Sequence, residues 1–319
     1  IFRLFLQQIR VMEKNLVVGG SGFLGLNWLA YLQQAGKENE VIVFAHEKPA
    51  GILFPTFVTF VEGDYADAKA LDELFTAHHF DRVFHFASSI IPAISSENIR
   101  QDIESNLLPT IGLMEMMKKH HVSKLLYLST GGAVYGNVHQ EKVAEDYPCK
   151  PISSYGIIKL AVEQYIELYA KLYQIDYLIL RLSNPFGEFH RSPKQGVINI
   201  AVRRALKGEM MTVWGDGSQA KDYIYAGDIG KAIDGLIKAG VKNETINVGS
   251  GESLSLNEII HRIQAKIPGF QVEYKEAKLT DVQKICLDTS KLSAHIPWEI
   301  TPFEQALEAT IAYEKARLS

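Results

Sequence analysis

Tyr155 and Lys159 stand four residues apart in SSYGIIKLAVEQYIELYAKLY, whose apolar spacing predicts a helix over 154–173. That spacing is about one helical turn, so both side chains share a face. A phenol has an ordinary pKa near 10 and acts as a base near neutrality only after losing roughly 3 units, about 4 kcal/mol. A neighbouring ammonium supplies part of that lowering. Ser129 and Thr130 follow the apolar run LLYL at 125–128. They sit where a parallel sheet presents its ligands, at the carboxyl end of a strand. A hydroxyl there can hold the substrate hydroxyl that Tyr155 deprotonates. The chemistry is proton abstraction from an alcohol.

A second constellation lies near the start of the chain. Residues 16–25 read LVVGGSGFLG. Gly20, Gly22 and Gly25 fit the dinucleotide fingerprint, and Gly19, Gly22 and Gly25 fit a variant of it. Glycines let the backbone turn tightly and approach a pyrophosphate, while a helix N-terminus supplies amides and a favourable dipole. The loop follows an apolar strand and opens a helix at Phe23 and Leu24, which is the context the fingerprint requires. A bound nicotinamide would add positive charge beside Tyr155. The acid usual at the end of the second strand is absent: VIVF runs into Ala45, His46, Glu47 and Lys48. An acid there would grip the ribose hydroxyls and repel a 2′-phosphate. Its absence weakens the case for NAD over NADP; the reading is NAD, with NADP left possible. Asp64 and Tyr65 of GDY sit where an adenine contact is plausible.

These residues need a frame. Apolar runs at 15–18, 41–44, 58–61, 82–86, 125–129 and 177–182 read as strands, and patterns at 23–34, 67–78, 97–120 and 154–173 as helices. Runs without polar alternation suit parallel strands covered on both faces. The alternation predicts an α/β fold, a doubly wound parallel sheet of Rossmann type. After Asn184 the segments shorten and turn Gly-rich, which predicts a smaller C-terminal α/β lobe. The divisions are 1–11 as an extension outside the fold, 12–184 as the dinucleotide-binding domain and 185–319 as the second lobe, with 220–245 packing back on the first.

Across 319 residues, 47% are hydrophobic and 22% charged, the balance of a globular protein. A net charge of −4 argues against nucleic acid as a partner. No apolar run approaches the ~20 residues that span a bilayer. Cys149 and Cys286 have no metal-ligand spacing, so no metal is expected, and two thiols suit the reducing cytoplasm.

GGSGFLG, GDYAD, VFHFAS, SNLLPTIGLMEMM, LSTGGAVYG, YGIIK, RLSNPFG, QGVI, VWGDGSQAKDYIY, NVGSG and LTDVQKICLDTSKL occur in that order. With them the chain resembles the extended short-chain dehydrogenases, most closely the UDP-glucose/UDP-galactose 4-epimerase group. The resemblance implies Tyr155 as base, Lys159 as its pKa partner and a ribose contact, and Thr130 as hydroxyl partner, with Ser129 second. It implies a cofactor set of Gly19, Gly22, Phe23, Leu24, Asp64, Tyr65, Ala87 and Asn106. Asn184 matches a diphosphate contact, and Gln195, Val197, Ile198, Val213 and Trp214 match positions that frame a uracil. Lys221 and Lys278 stand for diphosphate arginines, keeping charge without the bidentate fork. Ile285 falls where room for a 2-acetamido group is set.

The implied activity is 4-epimerisation of a nucleotide-linked hexose through a 4-keto sugar. A 4-ketoreductase with net NAD(P)H turnover and a non-catalytic dinucleotide sensor are the alternatives. Gly131 and Gly132 replace the acidic pair of 4,6-dehydratases. The resemblance also implies a homodimer built on the helices at 97–120 and 154–173.

Overall fold

The computed structural model describes residues 13–37, 39–89, 92–276 and 284–318; the 1–11 segment and Lys278 lie outside the described residues. The chain runs β1 (Lys14–Val18), α1 (Phe23–Gln34), β2 (Glu40–Ala45), β3 (Val58–Glu62), α2 (Ala68–Ala77) and β4 (Arg82–His85). A 3₁₀ turn (Pro92–Glu97) leads into α3 (Ile99–Asp102), a π turn (Ile103–Leu107) and α4 (Leu108–Lys119). Next come β5 (Lys124–Thr130), α5 (Gly131–Val134), α6 (Ser154–Tyr173), β6 (Asp176–Leu182) and β7 (Asn184–Phe186). The remainder is α7 (Val197–Lys207), β8 (Met211–Trp214), β9 (Ala220–Tyr225), α8 (Ala226–Lys238), β10 (Glu244–Val248), β11 (Ser253–Ser255), α9 (Leu256–Lys266), β12 (Val272–Lys275), β13 (Lys284–Ile285), α10 (Ser290–His295) and α11 (Phe303–Leu318).

The main sheet has the order β3-β2-β1-β4-β5-β6-β10, with every pair parallel. Successive side chains of a strand point to opposite faces, and the apolar runs divide between two cores accordingly. Val17, Val43, Phe84, Leu126, Leu128 and Leu180 pack with α1 and α8. Leu16, Val18, Ile42, Val83, Leu125 and Ile179 pack with α2, α4 and α6. Burying each such side chain is worth about 1.5–3 kcal/mol. This is the doubly wound, two-faced sheet that unbroken apolar strands require.

Strand order reverses between β1 and β4, and ligands bind outside the carboxyl ends of strands at such a switch point. A smaller lobe follows. In it β9 pairs with β7, β11 and β13, and β8 pairs with β12. Phe186, Ile198, Val202, Val213, Ile259, Ile263 and Leu307 form its core. Between visits to that lobe the chain returns to the main sheet: α8 lies on α1, and β10 becomes the edge strand beside β6. Among the described residues no helix is long and apolar enough to cross a membrane.

Candidate active site

The loop after β1 is shaped by what a side chain would hit. Gly19 has φ +78°, and a Cβ there would lie 2.5 Å from the Cα of Ala87, which follows β4. A Cβ on Gly25 would lie 2.4 Å from the carbonyl oxygen of Gly20, so α1 rests directly on the loop. Gly22 caps α1 without any side chain, and the first turn holds no acid. The opening amides of α1, at Phe23 and Leu24, are thus uncapped donors at the positive end of a helix. This cradle fits a dinucleotide pyrophosphate. At the end of β2, His46 lies 3.6 Å from Asp64, and both are largely exposed. Tyr65 turns inward: its hydroxyl donates to the Ser105 carbonyl at 3.0 Å, and its ring meets His85 edge-on. Asn106 sits in the π turn, a distortion frequent at functional sites. It accepts from the Ser89 amide at 3.0 Å and donates to the Ser89 hydroxyl at 2.9 Å, tying down the chain after Ala87.

At the neighbouring strand end, Ser153 caps α6 by accepting from the Gly156 amide. This starts the helix so that Tyr155 and Lys159 lie over the end of β5. The Thr130 hydroxyl lies beside the Tyr155 phenol. Lys159 Nζ donates to the Leu128 carbonyl at 2.9 Å and lies 5.9 Å from the Tyr155 ring centroid. Burial pushes Tyr155 up to about 12, against the neighbouring Thr130 hydroxyl. Burial pulls Lys159 down to about 8, against the charge of Glu163. The chain's own groups therefore do not give Tyr155 the lowered pKa that its sequence context implies, because desolvation outweighs them.

Ser129 is engaged elsewhere on α6. Its hydroxyl donates to Glu163, which is ion-paired with Arg181 at 2.7 Å. Ser129 points to the face that α6 covers, as Leu125 and Tyr127 do, and meets that helix two turns beyond Tyr155, at Glu163.

Asn184, at the start of β7, donates to the Asp222 carbonyl at 2.9 Å. A Cβ on Gly132 would lie 3.6 Å from Asn184 Oδ1 and 3.7 Å from Thr130 Oγ1. Thr130, Gly132 and Asn184 therefore share one wall. In the smaller lobe, Gln195 is exposed, Val197 half-buried and Trp214 46% exposed. The side chains of Ile198 and Val213, expected at a uracil, are both 1% exposed and packed in the lobe's core. Ile285 is likewise enclosed, with Val134, Tyr135, Val143 and Leu287. Each sits at an apolar position of an element whose inner face closes a core, which motif matching does not register. Lys221 is half-buried, with no ion pair among the described residues.

The sequence reading missed Glu163 and Arg181. Glu163 repeats the four-residue spacing of Tyr155 and Lys159, which is the signal that marks it. Asp222 was missed as well. Its fully buried carboxylate accepts from Ser250, Gly251 and Leu287 amides, fixing β9 where its carbonyl holds Asn184. Among the described residues no group of His, Cys, Asp or Glu is placed to hold a metal.

Residues 15–249 match the model of the NAD dependent epimerase/dehydratase family. The chain belongs to that family. It is 37% identical over 280 residues to a putative UDP-glucose 4-epimerase of Methanocaldococcus jannaschii, covering 86% of this chain and 90% of that one. Its fold is similar to UDP-glucose 4-epimerase of Thermotoga maritima, solved with UDP-glucose: TM-score 0.89, 31% identity, covering 96% of this chain and 100% of that one. A Thermus thermophilus UDP-glucose 4-epimerase, solved with NAD, superposes with TM-score 0.87 at 28% identity, over 95% and 99% of the two chains. The family is one of NAD enzymes, and the glycine loop after β1 has the close-packed shape that a dinucleotide pyrophosphate needs.

Proposed function

We propose that this protein is an NAD-dependent 4-epimerase of a nucleotide-linked hexose, UDP-glucose/UDP-galactose or their N-acetyl forms. The supporting observation is the meeting of Thr130, Tyr155 and Lys159 beside Asn184, with glycines at 131 and 132. A carboxylate at 131 would have to displace Leu287, since a Cβ there would lie 2.6 Å from its Cδ1. Acid–base elimination therefore lacks its usual groups at these two positions, while proton exchange at a single hydroxyl has them.

In this reading Thr130 orients the C4 hydroxyl and Tyr155 takes its proton. Lys159 favours the phenolate by its charge and holds the ribose. Bound on the glycine loop, NAD supplies a reversible hydride acceptor. Tyr155 returns the proton once the sugar has presented its other face. Asn184 and Lys221 hold the diphosphate, and Gln195, Val197 and Trp214 frame the base.

Purified protein incubated with each of the four UDP sugars, without added cofactor, should yield the C4 epimer of at least one. A protein that leaves all four unchanged but consumes NADPH with a 4-keto sugar is a reductase, and this reading fails. Because an epimerase regenerates its cofactor each cycle, NAD(H) should remain bound through purification. Mass spectrometry of the denatured protein should detect it. NADP(H) in its place overturns the NAD assignment, which Ala45 leaves without an acidic partner.

The assembly follows from an uncovered surface. α4 and α6 lie side by side, and Leu113, Met117, Val162 and Ile166 face the sheet. Ile99, Leu108, Ile157, Tyr165, Leu168 and Leu172 are exposed. An apolar patch of this kind marks an interface, and a two-fold dimer uses one patch twice. Light scattering at micromolar concentration should give twice the 35.7 kDa chain mass, and Leu168→Glu with Leu172→Glu should give the monomer. A monomeric unmodified protein refutes the dimer.

A further inference from the structure

We infer that Glu163 is a positioning residue for the reaction: clamped by Arg181 and Ser129, it is the buried counter-charge behind Lys159 and it anchors the strand end that carries Thr130. This rests on the reading of Lys159 as the charged partner of Tyr155.

Tyr155, Lys159 and Glu163 recur at one-turn intervals along the same face of α6. Glu163 is 2% exposed and Lys159 7%. The Glu163 carboxylate accepts from the Ser129 hydroxyl, from Arg181 Nε at 3.2 Å and from Arg181 Nη2 at 2.7 Å. Arg181 Nη1 donates to the Tyr135 hydroxyl at 3.0 Å and the Glu145 carbonyl at 3.2 Å. Tyr135 in turn donates to Asn247 at 2.7 Å. The pair thus ties the ends of β5, β6 and β10 to the turn after Thr130. A buried pair of this kind adds little stability over apolar residues of similar volume, because desolvation offsets its attraction. Its position supplies another role.

The groups facing Lys159 are Tyr155 on α6, Tyr127 on β5, with its ring centroid 4.7 Å away, and His85 on β4. Burial, then the Lys159 charge, pushes His85 down to about 3, so it is neutral. Glu163 is the carboxylate acting on the ammonium, and it opposes the burial that pulls Lys159 down. Around Glu163 itself stand Arg181, Ser129, Tyr127 and Cys149. Removing its charge leaves Arg181 an uncompensated cation behind Lys159, and the sign is then fixed: Lys159 must lose its proton at lower pH.

The test uses the full chain labelled with ¹⁵N-lysine, the Lys159 signal being the one absent from Lys159→Arg. In Glu163→Gln, whose amide oxygen still accepts from Ser129, the Lys159 midpoint should fall by about 1–2 pH units, and kcat should fall with KM unchanged. In Arg181→Met, which removes the competing cation and keeps the Glu163 carboxyl group, the midpoint should move up. In the double variant, neutral like the native pair, it should return toward the native value. Structural damage would move the two single variants the same way. Should Glu163→Gln not fold, Arg181→Met and the double variant carry the test. An unchanged midpoint, or shifts of the same sign in both single variants, overturns the inference. A native protein that makes no C4 epimer would sink the proposed activity and leave the titration result standing.

Discussion

Tyr155→Phe should lower kcat by about 10²–10⁴-fold, the usual contribution of a general acid–base group, while bound NAD(H) is retained. The ring is kept, so its packing over the end of β5 and its distance from Lys159 are kept. What is lost is the hydroxyl beside Thr130 that, in the proposed mechanism, exchanges a proton with substrate. The cofactor cradle is built from Gly19, Gly22, Gly25 and the backbone of Ala87, which the substitution does not touch. Steady-state kinetics of C4 epimer formation, with mass spectrometry of the bound nucleotide, separate the two effects. A variant retaining more than about half of native kcat removes Tyr155 from the mechanism.

Gly25→Ala should cost about 1–3 kcal/mol of stability, the range for overpacking a tight interior, and should abolish cofactor retention. The added Cβ would lie 2.4 Å from the Gly20 carbonyl oxygen and 2.5 Å from its Cα. Both are backbone atoms of the loop itself, so no flexible side chain can swing away. Relief comes by lifting α1 off the loop, which displaces the uncapped amides at Phe23 and Leu24. Gly132→Ala is the control. Its Cβ would meet nothing nearer than Asn184 Oδ1 at 3.6 Å, an ordinary contact, so fold and cofactor should survive. Thermal unfolding together with nucleotide analysis reads both variants. A Gly25→Ala protein with native Tm and a full complement of NAD would show that the loop does not need this close approach.

Local chemistry by itself determined a good part of this molecule. The run NLVV has no polar alternation and reads as a strand covered on both faces, and Leu16 and Val17 do face opposite cores. The glycine spacing at 19–25 and the four-residue spacing of Tyr155 and Lys159 are properties of a turn and of a helix, set within a few residues. They were legible for that reason.

Tertiary structure decided what depends on partners distant in the chain. The sequence places Ser129 and Thr130 side by side at one strand end. Only the fold pairs Ser129 with Glu163, 34 residues away, and leaves Thr130 as the hydroxyl beside Tyr155. Ile198, Val213 and Ile285 match binding positions in order and spacing, yet the closing of two small cores takes their side chains inside. Asn106 enters the cofactor set by resemblance alone, and it is the π turn that aims it at Ser89. The pKa of Tyr155 depends on the balance of burial and charge in three dimensions. Spacing places the ammonium near the phenol, but it says nothing of the solvent that packing removes from both.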